Sequence, residues 1–256
     1  MRGPIAWFLL TAAALVPALA QDPFEIHVYE YETLRRGQFT LEQHLNYIGV
    51  GSKMPADSLA PANNQLHLTH ELTAGIHERF SLGFMLLSAR LPSHRLEYAG
   101  WRLLPHFYAP DSWRLPLNLG LVSEFSFQRT RYEENSRRVE IRPILEKSMG
   151  HVQVDFNPVF ERALHGPGTS HGWNFEPAIR VGYEASKRFT PSLEYYSSAG
   201  PFPGFLPLEE QIHLFFPGAD LRFGERVVWS LGVGIGATSA GNRIVYKSRL
   251  EVQFGR

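Results

Sequence analysis

The stretch whose reading decides the fold is residues 139–161, VEIRPILEKSMGHVQVDFNPVFE. With a period of two, Val139, Ile141, Pro143 and Leu145 share one face of its first half, and Glu140, Arg142 and Glu146 the other. In the second half Val152, Val154, Phe156, Pro158 and Phe160 oppose Gln153, Asp155, Asn157 and Glu161. Successive strand side chains point to opposite faces, so each half has one apolar and one charged face. A tight turn after Lys147 makes the two halves a hairpin, and that pairing sets Arg142 beside Asp155 or Asn157. A soluble sheet must cover its apolar face with a second layer; a membrane barrel leaves it to lipid.

The same alternation runs through the chain from Phe39. Phe39, Leu41, Leu45 and Tyr47 oppose Thr40, Glu42, His44 and Asn46, and Leu66, Leu68 and Leu72 oppose Gln65, His67, Thr69 and Glu71. Later runs set Trp101, Leu103, Pro105 and Phe107 against Arg102 and His106, and Leu121, Phe125 and Phe127 against Glu124, Ser126 and Gln128. Phe175, Pro177, Ile179 and Val181 oppose Glu176 and Arg180; Leu193 and Tyr195 oppose Glu194; Leu250 and Val252 oppose Arg249 and Glu251. The pattern predicts about twelve strands of roughly ten residues, the length with which a tilted strand crosses a bilayer. Only residues 211–223 alternate poorly. Prolines 105, 143, 158, 177 and 191 fall inside runs and lack the ladder donor, so bulges are expected there.

The connections carry a second signal. Long linkers at residues 49–64, 129–137, 164–172 and 201–208 alternate with tight ones at 75–79, 148–150, 186–188 and 224–226, while 91–96, 109–114 and 239–242 break the rhythm. Outer-membrane barrels have this asymmetry of short periplasmic turns and longer external loops. Large aromatics at Phe80, Trp101, Phe107, Trp173, Tyr183, Phe189, Phe223 and Trp229 fall mostly near run ends, as interfacial girdles require. The expected fold class is therefore all-β, an antiparallel up-and-down transmembrane β-barrel.

Composition narrows the function. The chain has 256 residues, zero formal net charge and no cysteine, which excludes disulfides, thiolate metal sites and a cysteine nucleophile. With no basic run there is no footprint for nucleic acid. Arg2, the apolar run Ile5–Val16 and Ala18-Leu19-Ala20 form a secretory signal over residues 1–20, cleaved near Ala20. Residues 21–37, QDPFEIHVYEYETLRRG, are an N-terminal lead-in or a plug, and residues 38–256 the barrel. The expected location is the cell outer membrane, with lipid as partner and the chain as a monomer.

The inward face supplies the lumen-lining candidates: Glu42, His44, His67, Glu71, Arg102, Glu124, Arg142, Asp155, Asn157, Glu176, Arg180, Glu194 and Arg249. A mixed-sign lumen suits either a narrow path for a small polar solute or an internal salt-bridge network. His44 with Glu42 and His67 with Glu71 share the lumen face of one hairpin, a pairing able to serve as base and orienter or to hold a metal. No ligand spacing or G-x-S-x-G motif accompanies them, so no catalytic residue, metal or cofactor is assigned. His70 points outward. Gly232, Gly234 and Gly236 alternate within a strand, which makes room for a bulky neighbour or a plug and is unlike a phosphate loop.

Several strings, D-P-F-E-I (residues 22–26), H-L-N-Y (44–47), V-E-I-R-P-I (139–144), F-N-P-V (156–159), F-E-P-A (175–178), L-E-Y-Y (193–196) and F-L-P-L (205–208), carry a family resemblance. They resemble a family of proteobacterial outer-membrane barrels of no established function and, more distantly, transporter-like barrels of aromatic-compound metabolism. The resemblance implies a barrel and no catalytic residues. The ending Phe254-Gly255-Arg256 departs from the terminal aromatic usual in such barrels. The leading expectation is a channel or uptake path for a small polar or amphiphilic solute, or a structural barrel. The alternatives are a lipid hydrolase using His44 or His67 and a soluble periplasmic β-sandwich.

Overall fold

The computed structural model describes residues 22–51, 59–92 and 94–255; the expected signal over residues 1–20 lies outside them. The chain forms a closed antiparallel barrel of twelve strands. These are β1 (Gln38–Val50), β2 (Gln65–His77), β3 (Phe80–Arg90), β4 (Glu97–Tyr108), β5 (Asn118–Gln128) and β6 (Arg137–Met149). Strand β7 comes in two pieces (Val152–Asn157 and Phe160–His165), as do β8 (Trp173–Phe175 and Ala178–Tyr183) and β9 (Phe189–Ser198 and Gly200–Phe202). Then follow β10 (Ile212–Phe223), β11 (Val227–Gly236) and β12 (Ile244–Gly255). Every strand pairs with its sequence neighbours, and β1 pairs with β12 from Gln38↔Gly255 to Val50↔Ile244, which closes the barrel.

Closure settles what covers the apolar face. Leu41, Leu72, Phe84, Leu193 and Ile235 are each exposed by 45–51 % on the outside, whereas the sandwich alternative requires such faces to be buried against each other. That alternative is overturned. Ring pairs collect towards the two rims, Phe39 with Phe254 and Phe80 with Phe107 at one, Tyr47 with Tyr246 and Phe160 with Phe175 at the other. His70 does face out, opposite Gln43 and near the middle of β2.

An even strand count brings Gln38 and Gly255 to the same rim. The turns at 78–79, 150–151, 184–188 and 224–226 lie at that rim; the strand ends Val50 and Gln65 and the longer connections at 129–136, 166–172 and 203–211 lie at the other. The three linkers that broke the rhythm also find places. The strand ends Arg90 and Glu97 and the loop at 237–243 lie at the long-loop rim, and 109–117 is an extended turn at the short-turn rim.

Two expectations fail. Pairing continues in one register past Pro105, Pro143 and Pro191, and resumes unshifted beyond Pro158 (Asn157↔Ala178, then Phe160↔Phe175). Register shifts fall elsewhere, between Ile48 and Val50, Gly75 and His77, Leu87 and Ser88, and Arg137 and Arg138. A strand proline forfeits one ladder bond but its fixed φ remains close to strand geometry, so it does not need an inserted residue. The second failure is the partner of Arg142. The first strand of the opening hairpin runs on to Met149, so Glu146 lies opposite Asp155, and Arg142 is not beside Asp155 or Asn157. Sliding a register by an even number keeps every face and changes every partner.

The glycines of β11 do make room. A Cβ on Gly234 would sit 2.3 Å from the ring of Phe216, whereas on Gly232 it would meet only the flexible stem of Lys247 at 3.2 Å. Gly234→Ala should therefore cost about 1–3 kcal/mol by overpacking and Gly232→Ala less than about 0.5 kcal/mol, read from urea unfolding of the refolded barrel.

Candidate functional site

The lumen is filled by the chain's own N-terminal segment. Residues 22–36 join no ladder and run along the barrel interior from the long-loop rim to the short-turn rim. There Gly37 (φ +83) bends the chain into β1. The exit is tight, since a Cβ on Gly75 of β2 would lie 2.1 Å from the Arg35 carbonyl. The segment presents apolar side chains to both walls. Ile26 and Val28 pack among Ala178, Tyr196, Ile212, Leu214, Phe216 and Val245, while Phe24 and Tyr29 join Met85, Leu87, Leu104 and Ile144 on the other wall. Each such buried side chain contributes roughly 1.5–3 kcal/mol.

Without a ladder, the segment's backbone groups need other partners, and wall side chains provide them. Asn157 accepts from the Tyr29 N–H at 2.7 Å and donates to the Tyr29 carbonyl at 3.0 Å, closing a two-bond clasp. Asn46 donates to Pro23 O (2.9 Å), Thr69 to Phe24 O (2.8 Å), and the Glu146 carboxylate accepts from the Tyr31 N–H (2.7 Å).

The segment's acids sit on the arginines of the wall. Arg102, 1 % exposed, bonds Asp22, meets Glu25 at 3.2 Å and meets Glu124 at 3.3 Å. Arg138 reaches Asp22 at 2.8 Å and pairs with Glu161. Arg142 holds Glu140 at 2.6 Å and Glu25 at 3.5 Å, and lies 4.6 Å over the Tyr29 ring. Towards the short-turn rim Arg180 bridges Glu30 (3.3 Å), Asp155 (3.2 Å) and Asp220 (2.5 Å). Arg249 joins Glu42 and Glu251, each at 2.9 Å, and Lys247 pairs with Glu194.

All thirteen lumen candidates named from sequence lie on the interior side of the wall. Twelve are buried, and Glu176, half-buried, hydrogen-bonds Ser198 at 3.1 Å. They fall into separate groups. Arg102 and Glu124 belong to the network around Asp22, Arg180 and Asp155 to the one around Glu30. Glu42, His44, Glu71 and Arg249 form a third, with His44 Nε2 3.5 Å from Glu42 Oε2 and 3.7 Å from Glu71 Oε2. His67 stays apart, edge-on to Phe24 at 4.5 Å between ring centres. Both histidines of the hydrolase alternative are thus buried on the lumen side, away from the outer face. Sequence reading missed Asp22, Glu25 and Glu30 as partners, and also Arg138 and Asp220. Arg138 shares the parity of Glu140 and Arg142. Asp220 is hidden because β10 is apolar on both faces, Ile212, Leu214 and Phe216 inside and Phe215, Pro217 and Leu221 outside.

Space remains at the short-turn rim. A cavity of about 290 Å³ is lined by His27, Glu30, Glu32, Glu42, Asp220, Arg222, Arg249 and Glu251 among others. At the long-loop rim a cleft of about 30 Å³ is lined by Asp22, Gln128, Arg138, Glu161 and Glu176 among others.

No family model and no curated protein matches the sequence. Among solved structures, an outer membrane channel from Pseudomonas putida F1 superposes with a TM-score of 0.63 at 11 % identity, over 90 % of this chain and 100 % of that one. The KdgM porin gives 0.50 at 11 % identity over 84 % and 99 % of the two chains. The transport unit of the autotransporter AIDA-I from Escherichia coli gives 0.50 at 11 % identity over 93 % and 95 %. The fold is therefore that of the outer-membrane barrels.

Arg102 is the point where wall and segment are most dependent on each other. Removing one member of a buried ion pair leaves a bare charge and costs about 3–5 kcal/mol. Arg102→Met should lower unfolding stability by that amount. It should also expose a probe on the segment. In a chain without native cysteine, Val28→Cys should resist a membrane-impermeant thiol reagent in the parent and react at least about tenfold faster beside Arg102→Met, since a 1.4 kcal/mol loosening is tenfold in an equilibrium.

Proposed function

We propose that the chain is an outer-membrane channel for a small polar or amphiphilic solute, with residues 22–36 as its resident gate. The observation that carries this reading is how the segment is held. A purely structural barrel would be expected to fill its interior from its own wall, whereas here the filling is one extended strap anchored by side chains and joined to no ladder. Such a strap can leave as a unit without breaking the barrel's closure, and a barrel of twelve strands has width to spare once it does.

The short-turn rim is the periplasmic one in this reading and the long loops face outward. Charged groups beside the apolar clusters around Tyr29 and Tyr196 suit a solute with both a polar group and an apolar body. The more distant resemblance to transporter-like barrels of aromatic-compound metabolism points the same way. On the wall, nine buried carboxylates of the described strands outnumber six buried arginines and lysine, so an open lumen favours cations.

Planar-bilayer recording tests the reading. The refolded mature chain should conduct weakly, and a variant lacking residues 22–34 should conduct at least several-fold more, with potassium preferred over chloride. A barrel that stays sealed after the deletion is structural, and the channel reading then fails.

A further inference from the structure

The group formed by Glu42, His44 and Glu71 is spaced unlike a hydrogen-bonded cluster. His44 Nε2 is 1 % exposed as a residue, has no hydrogen-bond partner, and lies 3.5 Å from Glu42 Oε2 and 3.7 Å from Glu71 Oε2. A charge-assisted N–H···O contact contracts to roughly 2.7–2.9 Å. Two ligand atoms bound about 2.1 Å from a tetrahedral zinc stand about 3.4 Å apart. The two separations from His44 are therefore close to the edge length of a coordination polyhedron, and the three ligand atoms together lie within 4.8 Å of one another.

The strands fix this arrangement. Glu42 and His44 are two apart on β1 and so share the lumen face, and the β1–β2 register places Glu71 opposite Glu42. Thr73 Oγ1 donates to Glu71 Oε1 at 2.9 Å, which leaves Oε2 turned to His44. Charge points the same way. One guanidinium, that of Arg249, answers both Glu42 and Glu251, at 2.9 Å each, and Glu71 adds a third carboxylate beside His44. A divalent cation closes the difference. On the strap, the Nδ1 of His27 is likewise buried without a partner, and its ring centre is 6.3 Å from that of His44.

We infer that Glu42, His44 and Glu71 form a binding site for a divalent first-row transition-metal ion inside the barrel, with His27 of the strap as the fourth ligand. Through that ligand the metal ties the strap to the β1–β2 hairpin.

Zinc is the most demanding probe, because a mixed nitrogen and oxygen site binds it more tightly than manganese or iron(II). The refolded full-length mature chain, stripped with a chelator and titrated with Zn²⁺ alone, should take up one ion per chain. His44→Gln and Glu71→Gln should each weaken uptake by roughly 10- to 100-fold or more, the loss expected even for outer-shell partners. His70→Gln, on the same hairpin but facing outward, should leave it intact. X-ray absorption of the zinc-loaded parent supplies a readout that needs no variant to fold, and should show a mixed shell with two imidazoles and carboxylate oxygens. No stoichiometric zinc in the parent, undiminished binding by His44→Gln, or a shell with fewer than two imidazoles would each overturn the assignment.

Discussion

A charge on the lumen wall of a narrow barrel has to be balanced inside the barrel, because the apolar outer face offers it no partner and a partly filled interior holds little water to screen it. Arg102 makes the consequence concrete. Its guanidinium is almost fully buried, and two of its three carboxylates, Asp22 and Glu25, come from a segment that is not part of the wall. Arg138, Arg142 and Arg180 repeat the arrangement along the barrel axis. Wall and strap are each electrostatically incomplete alone, so the position of residues 22–36 follows from the placement of the wall's arginines.

Backbone requirements reinforce that position. An extended segment outside any sheet exposes a donor and an acceptor at most residues, and burying them unpaired is costly. The polar side chains that face the lumen, Asn46, Thr69, Glu146 and Asn157, are the ones that take them up. The inner face therefore serves the strap through side chains, as a neighbouring strand would through its backbone, but without committing it to a ladder. Inward-facing apolar residues occur where Phe24, Ile26, Val28 and Tyr29 need contact, which explains why Met85, Leu87, Leu214 and Phe216 lie inside a barrel whose lumen is otherwise charged.

Parity and register contribute separately to this result. Because strand side chains alternate, the face of Arg142, Asp155 or Glu194 depends only on whether it is an odd or even step along its run. Its partner depends on where the turn falls. Extending β6 to Met149 moves Asp155 opposite Glu146 and hands its charge to Arg180, its neighbour on β8. Prolines at the outward positions leave the alternation untouched, which is why Pro143 and Pro191 pass through the ladder without a shift.

By itself the sequence determined the two-faced strands, the loop asymmetry, the membrane-type barrel and the inward side of every lumen candidate, since these rest on a period of two that needs no knowledge of partners. It was silent where the period carried no contrast, as in β10, and it left residues 21–37 open between a lead-in and a plug. Only the tertiary structure decided that the strap lies in the lumen, that Asp22, Glu25 and Glu30 complete the arginines, and that Glu42, His44 and Glu71 gather while His67 stands apart against Phe24. Those contacts join residues far apart in the chain, and their distances are set by barrel closure and register, which no local pattern encodes.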